Sequence, residues 1–158
     1  MSSETLEYGK LTFEIDQNTD QATIKIKGNI DEDFIAKDLL AKNITQYIFD
    51  MEKVKMINSC GIREWISFIE ATGDDSKLTY VNCPQVVIQQ MNIVDGFLSK
   101  NAQVITFFAP YYNEDEDEEI LKLLNTADIK DNKAPEYENL EFDAIEKQYF
   151  NFINLQKN

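Results

Sequence analysis

The sequence predicts an α/β fold, a mixed and largely parallel sheet of about five strands with helices packed on it. Three observations support this prediction. Two alternating apolar and polar segments come first, strand-like and helix-like segments then alternate up to residue 108, and a small acidic extension ending in a helix follows. The 158 residues, 43% of them hydrophobic, suffice for one core of ordinary size. We therefore expect a domain at 1–108 and an appendage at 109–158.

The domain begins with a hairpin-like pair of strands. Leu11, Phe13 and Ile15 alternate with polar residues, and Ile24 and Ile26 do the same after a polar turn. Because successive side chains of a strand point to opposite faces, each strand is predicted to bury one face. A first helix is expected next. Its apolar residues are Phe34, Ile35, Leu39 and Leu40, with Asp31 or Asp33 near its start.

Strands and helices then alternate along the chain. Residues 45–50 predict a strand and residues 60–72 a helix, closed by Gly73 in the position favoured at a helix C-terminus. The helix has an apolar stripe with the spacing i, i+3, i+4 and i+7, formed by Ile62, Trp65, Ile66 and Ile69. The remaining predicted elements are a strand at 78–81, a helix opened by Pro84 and a strand at 104–108.

Right-handed crossovers between parallel strands place the loops at 58–61 and 82–84 on one edge of the sheet. We therefore expect Cys60 and Cys83 to lie near each other there. Such a pair of thiols makes a redox sensor one of the hypotheses for this chain.

The string Asn58-Ser59-Cys60-Gly61 lies between an apolar strand-like segment and the predicted helix. The first N–H groups of a helix lack internal partners and give that end a partial positive charge. Two interpretations of Ser59 follow. It is an N-cap, worth about 1 kcal/mol relative to alanine, or it accepts a phosphate that would lie on the same N–H groups.

The order of strand, Gly28-Asn29-Ile30-Asp31, helix, strand, Asn58-Ser59-Cys60-Gly61 and helix resembles the STAS domain of bacterial anti-sigma-factor antagonists, over about residues 8–108. In that family the motif reads Asp-Ser-Ser-Gly or Asp-Ser-Thr-Gly. A partner kinase that doubles as an anti-sigma factor phosphorylates the serine after the aspartate. The resemblance implies Ser59 as the phosphoacceptor and a signalling protein as the partner.

This chain departs from the family motif at two positions. Asn58 replaces the aspartate, and Cys60 replaces the second hydroxyl residue. If the missing carboxylate orients the serine, its loss works against phosphorylation and leaves the helix cap and the docking surface intact.

Loops at this edge of an open sheet form the predicted partner-binding surface. Arg63 is the only arginine of the chain and is expected to point outward. It either contacts an acidic partner group or a phosphate on Ser59, or is a solvated residue paired with Asp or Glu at helical spacing. The predicted surface comprises Asn29, Asp31, Asn58, Ser59, Cys60, Gly61 and Arg63.

The formal net charge of −14 argues against nucleic-acid binding, which requires clustered Lys and Arg, and against binding to anionic membranes. It is compatible with a basic protein partner or with solubility alone. The N-terminus lacks the features of a signal peptide, and no apolar run approaches the length needed to cross a bilayer. With two cysteines, which suit a reducing compartment, a cytoplasmic location is expected.

Enzymatic activity is not expected. The chain has no histidine, which removes the Ser-His-Asp and Cys-His nucleophile arrangements. Its five glycines form neither a Walker loop nor a Gly-x-Gly-x-x-Gly turn, so no cofactor is implied.

Beyond Pro110 the charge changes. Residues 109–158 contain 13 acidic and 5 basic residues, against 16 and 10 in residues 1–108, so the smaller part carries most of the net charge. The unbroken acidic run 114–119 precedes apolar residues, which favours the start of a helix. Calcium binding fails the loop template, because Ile120 stands where the sharp turn requires glycine.

The extension also resembles the zinc ribbon that follows the STAS-like domain in related bacterial proteins, where two Cys-x-x-Cys pairs hold the metal. The framing segments are Pro110-Tyr111-Tyr112, Leu140-Glu141-Phe142-Asp143 and Tyr149-Phe150-Asn151-Phe152. No thiolate is present at the corresponding ligand positions, so no zinc is expected. These positions are Asn113, Glu116, Ala134 and Tyr137.

Without a metal, the extension is predicted to be held by apolar packing and to end in a helix from about Asp143 to Leu155. A stripe of that helix, Ile145, Tyr149, Phe152 and Ile153, either packs on the core or binds a second chain. The residues expected to pack are Tyr111, Leu121, Leu124, Phe142, Tyr149, Phe150 and Phe152.

Three functional hypotheses follow from the sequence. The first is a non-enzymatic regulator that binds a protein partner such as an anti-sigma factor or serine kinase, with Ser59 as the switch. The second is a constitutive assembly subunit or homodimer without phosphorylation. The third is the thiol sensor, based on Cys60 and Cys83.

Overall fold

The computed structural model describes residues 2–40 and 43–156, and its larger sheet has six strands in the order β1-β2-β3-β4-β5-β6. The first three strands are antiparallel neighbours, whereas β3 to β6 pair in parallel. The fold is therefore a mixed α/β fold with a largely parallel sheet. The strands are β1 Ser2–Tyr8, β2 Leu11–Gln17, β3 Gln21–Ile30, β4 Gln46–Ile57, β5 Lys77–Val81 and β6 Ala102–Val104.

The sheet has one strand more than the sequence predicted, and this additional strand is β1. It pairs antiparallel with β2 along its whole length, but its side chains are mostly exposed. An edge strand without a buried face shows no apolar alternation, so the pattern that predicted β2 and β3 is missing there.

Two helices connect the parallel strands, as expected from the alternation of segments. Helix α1, Ser59–Thr72, connects β4 to β5, and helix α2, Gln85–Ile93, connects β5 to β6. Helix α1 ends at Gly73, whose φ of 83° suits glycine. The buried residues of α1 are Gly61, Trp65, Phe68 and Ile69. Two of the four residues of the predicted stripe are therefore buried, whereas Ile62 and Ile66 are half-buried.

The predicted first helix is wrong. Between β3 and β4 the structure has a single 3-10 turn, Ala36–Leu39, flanked by extended residues Ile35 and Leu40. Phe34 and Leu39 are buried, whereas Ile35 and Leu40 are exposed. Two apolar anchors fix this segment on the core, and no continuous helical stripe exists to support regular turns.

The last predicted strand, at 104–108, is divided between two sheets. Strand β6 ends at Val104, and β7, Thr106–Asn113, belongs to a second sheet of three strands in the order β8-β7-β9. The other two strands are β8 Glu118–Asn125 and β9 Glu141–Phe142. The predicted helix after the acidic run is therefore wrong, because residues 114–117 form the turn of the β7–β8 hairpin.

The terminal helix is interrupted. Helix α3, Glu146–Tyr149, and helix α4, Asn151–Leu155, are separated at Phe150, which has φ −89° and ψ 6°. Tyr149, Phe152 and Ile153 of the predicted stripe are buried, while Ile145 is exposed. The stripe therefore packs on the core through three of its four residues.

The second sheet packs against the end of the first. Cys83 forms a parallel bridge with Phe107, in which the Phe108 N–H donates to the Cys83 carbonyl at 2.8 Å. The Asn92 amide of α2 donates to the Tyr149 carbonyl at 2.9 Å. One cluster of buried side chains runs through both sheets, from Leu11 to Ile153. Leu121, predicted to join it, is 48% exposed.

Candidate functional site

The strand-to-helix junction at residues 57–61 is capped by Asn58. Its side-chain oxygen accepts a hydrogen bond from the Gly61 N–H at 2.9 Å, which makes Asn58 the N-cap of α1. The interpretation of Ser59 as the N-cap is therefore wrong. Ser59 is the first helical residue, because asparagine caps a helix as well as serine does and lies one position earlier.

The Asn58 side chain also connects α1 to the loop after β3. Its amide nitrogen donates to the Glu32 carboxylate at 2.8 Å, and this hydrogen bond lowers the pKa of Glu32 from its ordinary value. An aspartate at position 58 has no such donor. Glu32 was not among the residues predicted for the site, and no spacing in the sequence relates it to Asn58.

Gly61 lies where α1 crosses the end of β3. A Cβ on this residue would overlap the carbonyl oxygen of Ile30 and crowd the N–H of Asp31. The same Ile30 carbonyl accepts a hydrogen bond from the Asn58 N–H at 3.1 Å. The motif glycine thus permits the close approach of backbone to backbone that sets the position of the helix start.

Ser59 is exposed at the first turn of α1. Within residues 2–40 and 43–156 its hydroxyl has no hydrogen-bond partner, and the N–H groups of Ser59 and Cys60 have no acceptor. The Gly61 N–H is already used by Asn58, so two N–H groups at this helix start face solvent. They are available to an anion attached at Ser59.

Arg63 is exposed and follows Ser59 by four residues, so the two side chains share one face of α1. The two ion pairs found in the described part of the chain are Lys27–Glu14 and Lys53–Glu52. The predicted pairing of Arg63 with an acidic neighbour at helical spacing is therefore absent among these residues, and its guanidinium is directed to solvent.

The loop after β3 forms the other side of the junction. Asp31 is 8% exposed, and its carboxylate accepts from the Asp33 N–H at 3.0 Å, so this side chain shapes the turn. Asn29 is half-buried. Glu64 of α1 also contacts the loop, because its carboxylate accepts from the Ala36 N–H at 3.0 Å. The sequence analysis did not identify Glu64, because a polar residue on the outer face of a helix gives no sign of a contact with a distant loop.

The two cysteines differ in accessibility, and both are free. Cys60 is exposed, whereas Cys83 is fully buried under the second sheet. Burial raises the pKa of the Cys83 thiol well above its ordinary value, which makes it unreactive. The thiol-sensor hypothesis needs two reactive thiols, and Cys83 does not meet that requirement.

The four positions that correspond to zinc ligands have other contacts. The Asn113 side chain accepts from the Glu116 N–H at 3.1 Å, in the hairpin turn. Ala134 donates its N–H to the Glu146 carboxylate. The Tyr137 ring meets Tyr111 edge to face at 5.1 Å. Within the described residues no group of three or more His, Cys, Asp or Glu side chains is arranged to hold a metal ion.

No protein-family model matches this chain, and no curated protein matches it. Five chains of solved structures do match. One of these is an anti-sigma factor antagonist from Mycobacterium paratuberculosis, to which the chain is similar with 15% sequence identity and a TM-score of 0.41. The similarity covers 48% of this chain and 70% of that one. Among residues 2–40 and 43–156, no helix has the length and apolar character of a membrane span.

Proposed function

We propose that this chain is a non-enzymatic signalling regulator of the anti-sigma-factor-antagonist type, which binds a partner protein at the start of α1. The resemblance of the strand, motif and helix order to STAS domains supports this class. The single observation that carries the proposal is that an exposed Ser59 hydroxyl without a hydrogen bond and an exposed Arg63 lie one helical turn apart on the same face of α1.

The surface has parts with different roles. Ser59, Cys60 and Arg63 are exposed and contact the partner directly, and the half-buried Asn29 and Asn58 contribute their polar edges. Asp31 and Gly61 act through shape, because one fixes the turn after β3 and the other fixes the approach of α1 to β3.

Phosphorylation of Ser59 is the proposed switch. A phosphate there adds roughly 1.5 to 2 negative charges. The free N–H groups of Ser59 and Cys60 and the guanidinium of Arg63 supply hydrogen-bond donors to it. A carboxylate at position 58 would be repelled by both Glu32 and the phosphate, whereas the Asn58 amide donates a hydrogen bond to Glu32. The replacement of aspartate by asparagine thus lowers the repulsion of a phosphate once it is attached at Ser59, and it has no bearing on how a kinase would orient the serine.

The extension at 109–156 completes the proposal as a segment that packs on the domain without metal. The framing segments in the sequence support the proposal that this extension is a zinc ribbon without its ligands. A Tyr111–Tyr137 ring contact and an Asn113–Glu116 hydrogen bond are found at or beside the four corresponding positions. Packing of aromatic rings supplies the stability that a metal provides in a ribbon.

Mass spectrometry tests the switch directly. The purified chain is incubated with ATP and a lysate of the source cells and is then digested with trypsin. Cleavage after Lys55 and Arg63 gives the peptide 56–63, in which Ser59 is the only hydroxyl residue. A mass increase of one phosphate on this peptide is expected. Its absence, while other kinase substrates in the same lysate are phosphorylated, would contradict the switch.

Docking is tested separately through Cys60. Because Cys83 is buried, a maleimide crosslinker attaches at Cys60 alone in the folded chain. We expect one protein to be crosslinked by the wild-type chain, and less of it by Arg63→Ala or Ser59→Asp. Lys100→Ala, an exposed cation outside the proposed surface, is the matched control. Equal capture by all four chains would refute partner binding at this surface.

The constitutive assembly subunit remains the alternative, favoured by the departure of Asn58 from the family's aspartate. It predicts the same docking surface with no phosphate at Ser59. In the crosslinking experiment it would give capture that Arg63→Ala weakens, together with an unmodified 56–63 peptide.

A further inference from the structure

A group of lysines surrounds a depression of about 500 Å³ on the larger sheet, beside the turn from β1 to β2. We call it the lysine depression. Four lysines and one carboxylate line it around Gly28, together with Thr12 and Val54, and these charged residues are Lys10, Lys27, Lys53, Lys55 and Glu52. Gly28 brings these residues together. It has φ 102°, and a Cβ on it would overlap the carbonyl oxygen of Lys10, so only glycine lets the turn lie against β3.

The charges of the lysine depression are incompletely neutralised. Lys27 pairs with Glu14 at 2.8 Å and Lys53 with Glu52 at 3.8 Å, whereas Lys10 and Lys55 form no ion pair with the described residues. Lys27 and Lys53 also stand directly opposite each other in the β3–β4 register. Like charges in that arrangement repel each other, and a bound anion removes the repulsion.

The strongest concentration of negative charge is the turn of the β7–β8 hairpin. We call residues 114–119 the acidic tip, in which six consecutive carboxylates are exposed and none pairs with a cation among residues 2–40 and 43–156. The turn is ordered by the Asn113–Glu116 hydrogen bond and by one between the Tyr112 hydroxyl and Asp117. The carboxylates are therefore presented on a hairpin.

We propose that the lysine depression binds the acidic tip of a second copy of this chain. The argument is charge complementarity. In a molecule of net charge −14, a lysine-lined depression attracts a carboxylate-rich segment, and each copy carries both. At 0.15 M salt, repulsion between the two acidic molecules is screened beyond about 8 Å, while contacts at the depression persist. This contact does not involve Ser59 or Arg63.

Sedimentation velocity with charge-reversed variants tests the proposal. The wild-type chain is expected to self-associate at 0.15 M salt and to dissociate near 1 M salt. Lys10→Glu/Lys55→Glu reverses the two unpaired lysines and should weaken association about tenfold or more. Lys100→Glu/Lys130→Glu, with the same net charge and exposed sites elsewhere, should retain it. Circular dichroism verifies that each variant is folded.

A charge swap identifies the occupant. Glu114→Lys/Glu116→Lys in the acidic tip should likewise weaken self-association, and a mixture of this variant with Lys10→Glu/Lys55→Glu should form heterodimers. Equal effects of the depression variant and its matched control would overturn the proposal, as would a mixture that remains monomeric. A wild-type chain that stays monomeric yet binds acidic peptides of other sequence would show that the occupant is another protein.

Discussion

The α/β region, residues 2–40 and 43–105, and the C-terminal region, residues 106–156, are held together by different means. The first has long backbone ladders and a helix whose Trp65 ring packs on Phe49 at 5.0 Å. The second has one long ladder, between β7 and β8, and its remaining elements are short and are joined by ring contacts and tyrosine hydroxyls. The Tyr149 hydroxyl donates to the Phe108 carbonyl at 2.6 Å, and the Tyr111 hydroxyl donates to the Pro135 carbonyl at 2.7 Å.

This difference shows how a segment with few regular hydrogen bonds becomes ordered. Phe150 is fully buried and contacts Phe142 at 5.2 Å and Phe107 at 6.0 Å. Large rings bury much area each and fix the short helices where backbone ladders are absent. Since the buried cluster is continuous across both regions, we expect the chain to unfold as one unit.

The largest expected effect comes from Phe150→Ala and Trp65→Ala. Each removes a fully buried ring and should lower the free energy of unfolding by about 3–5 kcal/mol. Denaturant unfolding followed by circular dichroism measures the change. Phe150→Leu, which keeps most of the volume, is expected to lose less. If Phe150→Ala produced a separate early transition, the two regions would be independent units.

The next largest loss in the free energy of unfolding is expected for Gly61→Ala. The added methyl group would overlap the Ile30 carbonyl, so α1 must move away from β3 at a cost of about 1–3 kcal/mol. Cys60→Ala, at the exposed neighbouring position of the same helical turn, is the control, because it leaves the contact between α1 and β3 unchanged. A loss for Gly61→Ala no larger than that for Cys60→Ala would mean that close packing at the helix start is unimportant.

Much of the α/β region was predictable because its signals are local. Helix α1 has four apolar residues at helical spacing and a terminal glycine, and β2 has strict alternation. The candidate site was predictable as a position on the chain, since it follows a strand and begins a helix. Its internal contacts were not. The Asn58–Glu32 hydrogen bond joins residues 26 positions apart, which no local pattern relates.

The C-terminal region was predicted less well because tertiary contacts determine it. The acidic run before apolar residues resembles a helix start, but β8 pairs along the full length of β7 and the run becomes a turn. The helix expected from about Asp143 breaks at Phe150, whose ring is drawn into the shared core. Leu121 faces outward because Leu124 lies on the buried side of β8.

Tyr111 gives a test of the C-terminal region at alkaline pH. Burial raises the pKa of Tyr111 to about 12, above its ordinary value of 10.0. The unfolded chain therefore loses this proton before the native chain does, and the free energy of unfolding should fall as pH rises from about 10 to 12. Tyr111→Phe should reduce that pH dependence and cost about 1–1.5 kcal/mol at pH 7.

At the site, Asn58→Ala should lower the free energy of unfolding by about 1 kcal/mol, because α1 loses its N-cap. Asn58→Asp keeps a capping oxygen but loses the donor to Glu32 and places two carboxylates together. That repulsion raises a carboxyl pKa in the native state, so the loss should be greater at pH 7 than at pH 4. Thermal unfolding at both pH values measures it. A loss independent of pH would contradict the contact.

The smallest effect on stability is expected for Arg63→Ala. Its guanidinium has no ion-pair partner among the described residues, so the free energy of unfolding should change by less than about 0.5 kcal/mol. Capture of a partner through Cys60 should nevertheless fall. This separation distinguishes the site from the aromatic C-terminal region, where loss of function follows loss of folding. If Arg63→Ala unfolded as readily as Phe150→Ala, Arg63 would be a residue that stabilises the fold and not one reserved for a partner.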